Sequence, residues 1–179
     1  MKKLILLAVA MALPSCGAGA EEAGRDLFHS EAQALAFGRL LGPLFATASG
    51  KTEHAEADGH RRVRHVFEAS DKIAALDLVY NPEGEIRQVE INFPVVDGKC
   101  SRAPPSRELA RLAIENTEPY LANSVRNINL VGSLADLGWP RQSSSSPAAK
   151  LGNTIYSFHR LRYFCTMTID RRPVATRTV

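Results

Sequence analysis

The chain is poor in the residues that most often announce a chemistry. Its 179 positions hold three cysteines, one tryptophan and five histidines, and 7% of them are aromatic. Three cysteines do not supply the paired CxxC motifs of a structural zinc site or the dense bridging of a disulfide scaffold, so a hydrophobic core has to carry the fold. No Gly-x-Ser-x-Gly elbow and no glycine-rich phosphate loop occurs, which leaves the serine hydrolase and nucleotide-binding patterns without a foothold. Charge of one sign is also scarce. The formal balance is +3, and removing Lys2 and Lys3 leaves 20 basic against 19 acidic side chains. Nucleic-acid binding then lacks its main electrostatic warrant, and no nucleic-acid partner is expected. After the first twenty residues no run is apolar enough to cross a bilayer.

What is present begins at the N-terminus. Lys2 and Lys3 precede an uninterrupted apolar run, Leu4 to Leu13, and then small residues up to Ala20. This is the three-part layout of a secretory signal peptide. Ten residues at about 1.5 Å each cover only about half of a roughly 30 Å hydrocarbon core, so the run suits a signal and not a permanent span. Within it, Leu13-Pro14-Ser15-Cys16 resembles the lipobox of bacterial lipoproteins, with Pro14 where that family carries a small aliphatic residue. The resemblance covers those four residues and the run before them. It implies a diacylglycerol thioether on Cys16, cleavage just before it and, with Gly17 next in place of aspartate, anchoring on the periplasmic side of the outer membrane. Ordinary cleavage after Ala20, giving a soluble periplasmic or secreted protein, is the competing reading.

Residues 21–179 are expected to form a single α+β domain, since roughly 160 residues suffice for one core and hardly for two. Export sends Cys100 and Cys165 to an oxidising compartment, where a disulfide between them is expected; the alternative leaves Cys165 a buried thiol and Cys100 an exposed one.

Ser30 with Gln33 forms a capping-box pattern, and Gly42-Pro43 supplies a stop, so a first helix lies between them. A polar loop is read over Thr47 to Gly59. Period-two alternation then marks three strands, around Val63-His65-Phe67, Ala74-Leu76-Leu78-Tyr80 and Val89-Ile91-Phe93, with Asn81 to Gly84 as a turn. A second helix is capped by Ser106 and carries Leu109, Leu112 and Ala113 inward. A further helical stretch near Pro119 buries Leu121, Val125 and Ile128, and 127–134 stays open between helix, strand and loop. The serine-rich connection 141–152 reads as a mobile loop. One long last strand places Ile155, His159, Leu161, Tyr163, Cys165, Met167 and Ile169 on its apolar face, with a brief final hairpin after it. The expected order is αβββααβ(β), an antiparallel four- to five-stranded sheet with helices on one face.

The candidate sites are few. His54, Glu56, Asp58 and His60 share a loop, but their spacing fits no metal motif, so no metal and no cofactor is expected. His65 and His159, on strands that alternation lets lie side by side, offer an acid/base pair to an unrecognised hydrolase, although a histidine on an apolar face is more often a hydrogen-bonded core residue. Glu83 and Glu85 fall in a turn and read as solvated charge. The strongest candidate is a basic patch of Arg62, Arg64, Arg160 and Arg162 on the sheet's outer face. It requires the first and last strands to pair; cross-strand ion pairs with Asp77 and Glu90 would instead neutralise it. Trp139 reads as a second anchor or as core packing. No catalytic set is named. The chain is read as a membrane-anchored module that binds a protein partner in the cell envelope, as accessory, inhibitor or immunity-type protein. A binder of a small or anionic envelope ligand and a hydrolase using His65 or His159 are the alternatives.

Overall fold

In the computed structural model the described residues are 26–56, 58–100, 104–137 and 148–171. Eleven regular elements follow one another: α1 (Glu31–Leu40), β1 (Ala48–Ala55), β2 (Arg61–Ala69), β3 (Lys72–Tyr80), β4 (Ile86–Val96), β5 (Lys99–Cys100), α2 (Ser106–Glu115), α3 (Val125–Leu137), β6 (Ala148–Leu151), β7 (Thr154–Arg160) and β8 (Phe164–Arg171). Short 3-10 turns lie at Pro43–Phe45 and Pro119–Leu121. Seven strands form a continuous antiparallel sheet in the order β1-β2-β3-β4-β8-β7-β6, and β5 pairs with β4. The α+β class holds, but the sheet has eight strands instead of four or five, and the element order differs accordingly.

Three departures account for the difference. The segment read as a polar loop is β1, whose eight residues are all exposed. It sits at the sheet's edge, held by backbone pairing to β2, so nothing in its side chains alternates. The single long last strand is two strands, β7 and β8, folded back at Leu161 to Tyr163. The core-facing phase switches across that turn, from even positions in β7 to odd positions in β8, so Ile155 and His159, expected on the apolar face with the odd residues of β8, lie on the other side of the sheet. Third, the end of the expected loop over 141–152 is strand β6; residues 141–147 lie outside the described residues, as do 1–25, Trp139 and Cys16.

The helices cover one face of the sheet. Ser30 caps α1 by accepting from Gln33 N, as its position suggests, and Ala34, Phe37 and Gly38 point inward. Gly38 is buried against β3, where a β-carbon would stand 3.8 Å from Leu76, an ordinary packing distance. Phe45 completes this side with ring contacts to Phe67 and Phe93 at 5.2 and 5.6 Å. Over the other half, Leu109, Ala110, Ala113 and Ile114 of α2 are buried, and Thr117 is hydrogen-bonded to the hydroxyl of fully buried Tyr156 on β7. Ser106 is the first residue inside α2 and not its cap, which is Pro105. Residues 127–134 are helical. In α3 Val131 is buried, whereas Val125, expected inward, is exposed.

Glu118 ties this layer to the β6–β7 hairpin. Its buried carboxylate accepts from Asn153 N and Thr154 Oγ1, both at 2.9 Å, and from Tyr120 Oη at 2.6 Å. Gly152, at φ +57°, passes so close that any β-carbon would meet that carboxylate at 2.7 Å.

Cys100 and Cys165 stand at disulfide distance, with 5.7 Å between their α-carbons. Cys165 is paired opposite Phe93 and Cys100 opposite Val95, so the bridge ties together β5 and β8, both of which pair with β4.

Candidate functional site

The outer face of the sheet is a polar ladder and not an open basic patch. Asp77, at the centre of β3, is fully buried and takes both oxygens of its carboxylate to the Arg64 guanidinium at 2.7 Å. Asn92 donates to Asp77 at 3.2 Å, and Thr166 donates to Asn92 at 2.7 Å, which carries the chain of bonds from β2 to β8. Arg62 bonds Glu56 and Glu90, each at 2.8 Å. Partial burial works against the Arg62 cation, but those two carboxylates outweigh it and its pKa rises. Hydrogen bonding to Asp77 raises that of Arg64. Both guanidinium groups are therefore occupied inside the domain, and the cross-strand neutralisation set out as the alternative is what the fold contains.

Arg160 and Arg162 do not join them. Strands β2 and β7 are separated by β3, β4 and β8, four strand spacings or about 19 Å. Arg160 ends β7 opposite Cys165, with inward parity, and its guanidinium reaches toward Gly98 in the β4–β5 turn. Arg162 lies in the β7–β8 turn, its guanidinium 5.1 Å from the centre of the Tyr163 ring. The four-arginine patch is thus corrected to two separate pairs, because its premise, pairing of the first and last strands, fails.

The histidine pair fails for the same reason. His65 is buried on the helix-covered face, while His159 stands opposite Thr166 on the outer face of β7. What surrounds His65 is a different cluster. Its Nε2 is 3.3 Å from Glu31 Oε1 without hydrogen-bond alignment, and the same carboxylate takes Lys51 Nζ at 2.7 Å and Tyr80 Oη at 3.4 Å. Burial lowers the His65 pKa although Glu31 pulls the other way. Burial also opposes the Glu31 charge, yet the bond from Lys51 prevails and its pKa is lowered. Glu31 therefore clamps the start of α1 to β1, β2 and β3, a structural task for all four side chains.

The acidic and histidine-rich loop is dispersed too. His54 is on β1, Glu56 is held by Arg62, and His60 Nδ1 stands 3.0 Å from Asp58. Among the described residues no three His, Cys, Asp or Glu are placed to share a metal ion.

Two surface features remain, at opposite ends of the strands. One end carries the β2–β3, β4–β5 and β7–β8 turns. There Leu161 is 53% and Tyr163 64% exposed, with Val96 and Ile73 also exposed and Arg160, Arg162 and Lys99 beside Asp97. Alternation assigned Leu161 and Tyr163 to the apolar face, so the turn that exposes them was not readable from their spacing.

The other end holds a cleft of about 550 Å³, lined by the 26–30 segment, Tyr80, the β3–β4 turn, Arg87 and Arg171. The Arg171 guanidinium is fixed by Asp26 at 2.7 and 2.8 Å and lies 4.3 Å from the Phe28 ring centre. Arg87 is half-buried and has no ion pair among the described residues. Nothing in the sequence singled out Arg87. Its role rests on a register shift, since Val79 pairs with Gln88 but Tyr80 with Ile86.

Searches of protein-family models, of curated proteins and of solved structures found no match to this chain.

Proposed function

We propose that the chain is an exported binding module, tethered by lipid on Cys16 to the periplasmic side of the outer membrane, that docks a protein partner of the cell envelope. The observation that carries this reading is the sheet end built from the β7–β8 turn. A leucine and a tyrosine stand exposed in that turn, and the guanidinium of the arginine between them lies 5.1 Å from the centre of the tyrosine ring. Tyrosine and arginine dominate interface hot spots because each offers a large, stiff contact area with polar handles. Arg160, Arg162, Lys72 and Lys99 outnumber Glu68, Asp71 and Asp97 at this end of the sheet, so the matching partner has an apolar pocket with an acidic rim. Arg62 and Arg64 leave the partner-binding set, because their charges are consumed by Asp77, Glu56 and Glu90.

The test is capture from envelope extracts by the chain with Leu161→Asp and Tyr163→Asp together. The turn is exposed and its backbone bonds, Leu161 N to Phe164 O and Val95 N to Tyr163 O, need neither side chain, so the double variant is expected to fold, which its thermal midpoint checks. Loss of a specific partner is expected; a partner retained by the double variant and lost on Arg64→Glu refutes the assignment. The tether is read separately by intact mass. A mature form beginning at Cys16 with added acyl chains supports it, and one beginning at Glu21 makes the protein a free periplasmic or secreted module.

A further inference from the structure

The cleft at the opposite end of the sheet answers to different chemistry from the docking turn. Its volume of about 550 Å³ lies within the range that holds small organic molecules, roughly 300–1,000 Å³. Phe28 and Ile86 give it apolar walls, and Tyr80, His29 and Ser30 supply polar atoms.

The decisive feature is how Arg87 comes to be there. In a regular ladder β4 would place Arg87 in phase with Val89 and Ile91, on the face that packs against the helices. The ladder instead skips from Val79–Gln88 to Tyr80–Ile86, leaving Arg87 as the extra residue of a bulge. Bulges of this kind re-aim one side chain while the strands on either side stay paired. Ile86 is thereby buried and Arg87 lines the cleft. Among the described residues no carboxylate claims its guanidinium, whereas Arg62, Arg64, Arg111 and Arg171 are each held by at least one. The second guanidinium of the cleft is already spoken for: Asp26 and the carbonyl oxygen of Thr117 hold Arg171.

The charges around the cleft narrow the ligand class. Arg87 and Arg171 face Asp26 and Glu85, so the formal charges cancel. A phosphate needs a surplus of positive charge and would meet Glu85 at the rim. A carboxylate needs only the planar two-pronged face of one arginine. We propose that this cleft binds a small carboxylic acid with an apolar body, its carboxylate on Arg87 and its body against Phe28 and Ile86.

The test follows amide and side-chain NMR signals of the full mature chain during titration with hexanoate, with hexylamine and inorganic phosphate as parallel titrants. Saturable shifts centred on Phe28, Tyr80 and Arg87 are expected with hexanoate alone. Arg87→Gln should weaken that binding by about tenfold or more, and Arg87→Lys, which keeps the charge but loses the fork, should recover only part of it. Because no carboxylate among the described residues holds Arg87, the thermal midpoint of Arg87→Gln should match that of the parent and exclude misfolding as the cause. The proposal is overturned if hexanoate produces no saturable shift, if phosphate or hexylamine shifts the same residues as strongly, or if Arg87→Gln binds as the parent does.

Discussion

Breaking the Cys100–Cys165 bridge gives the most quantitative check on the fold. The bridge closes a segment of 65 residues that holds α2, α3, β6 and β7. In the loop-closure account, a loop of that length restricts the unfolded chain by about 4 kcal/mol at 25 °C. For a domain of this size 1 kcal/mol moves the midpoint by roughly 2–4 °C, so a fall of roughly 8–16 °C is expected. The choice of variant matters. Cys165 is fully buried, and shortening it would add a cavity to the lost constraint. Cys100 is only partly buried on the two-residue strand β5, so Cys100→Ala removes the bridge and leaves the Cys165 sulfur filling its site. Oxidised parent and Cys100→Ala would be compared by urea and thermal unfolding, with thiol content confirmed by mass. Hydrogen exchange should show new opening at Lys99 and Cys100 while β4 and β8 stay protected, because those two strands pair directly over seven residue pairs. A midpoint within about 2 °C of the parent would refute the reasoning, since it would mean that the 65-residue segment is already confined in the unfolded state.

Three further outcomes are expected. Gly152→Ala should cost more than about 2 kcal/mol in urea unfolding, combining a left-handed backbone with a clash at the Glu118 carboxylate, while Gly84→Ala, equally left-handed but open, should cost about 1 kcal/mol; equal losses would remove the clash from the account. Asp77→Ala should cost about 3 kcal/mol in the same assay, because it leaves Asn92 and Arg64 without their buried acceptor, and a loss below about 1 kcal/mol would show that the ladder is dispensable. Stability should also fall as the pH drops below about 6.5, since the His65 pKa is lowered in the folded state. The unfolded chain then binds a proton that the native chain takes up only at lower pH. His65→Gln should flatten that limb of a stability-versus-pH curve. The limb from Glu31, whose pKa is also lowered, begins below about pH 4.5 and should remain; an unaltered curve would place the titration elsewhere.

Short-range signals in the sequence located what short-range physics controls. Ser30, Gln33 and Gly42 bounded α1, and alternation at Val63, His65 and Phe67 and again at Val89, Ile91 and Phe93 found β2 and β4, because one side of those strands packs on helices and the other does not. Cys100 and Cys165 were paired by compartment chemistry and lack of competitors. β1 was missed because an edge strand held by backbone bonds leaves its side chains in solvent, and no pattern records that. The turn at Leu161 to Tyr163 is hidden because apolar residues at odd positions from Ile155 to Ile169 read as one strand, although the core-facing phase is even in β7 and odd in β8.

Strand order was beyond the sequence, since it depends on contacts between segments far apart in the chain. It determined that β4 pairs with β8 and that β2 does not meet β7. It therefore separated Arg62 and Arg64 from Arg160 and Arg162, and His65 from His159. The β3–β4 ladder, through its register shift, produces the bulge that carries Arg87 into a cleft. Composition and local spacing specified which residues are buried or charged; only tertiary packing decided which charges find partners within the domain and which are left for another molecule.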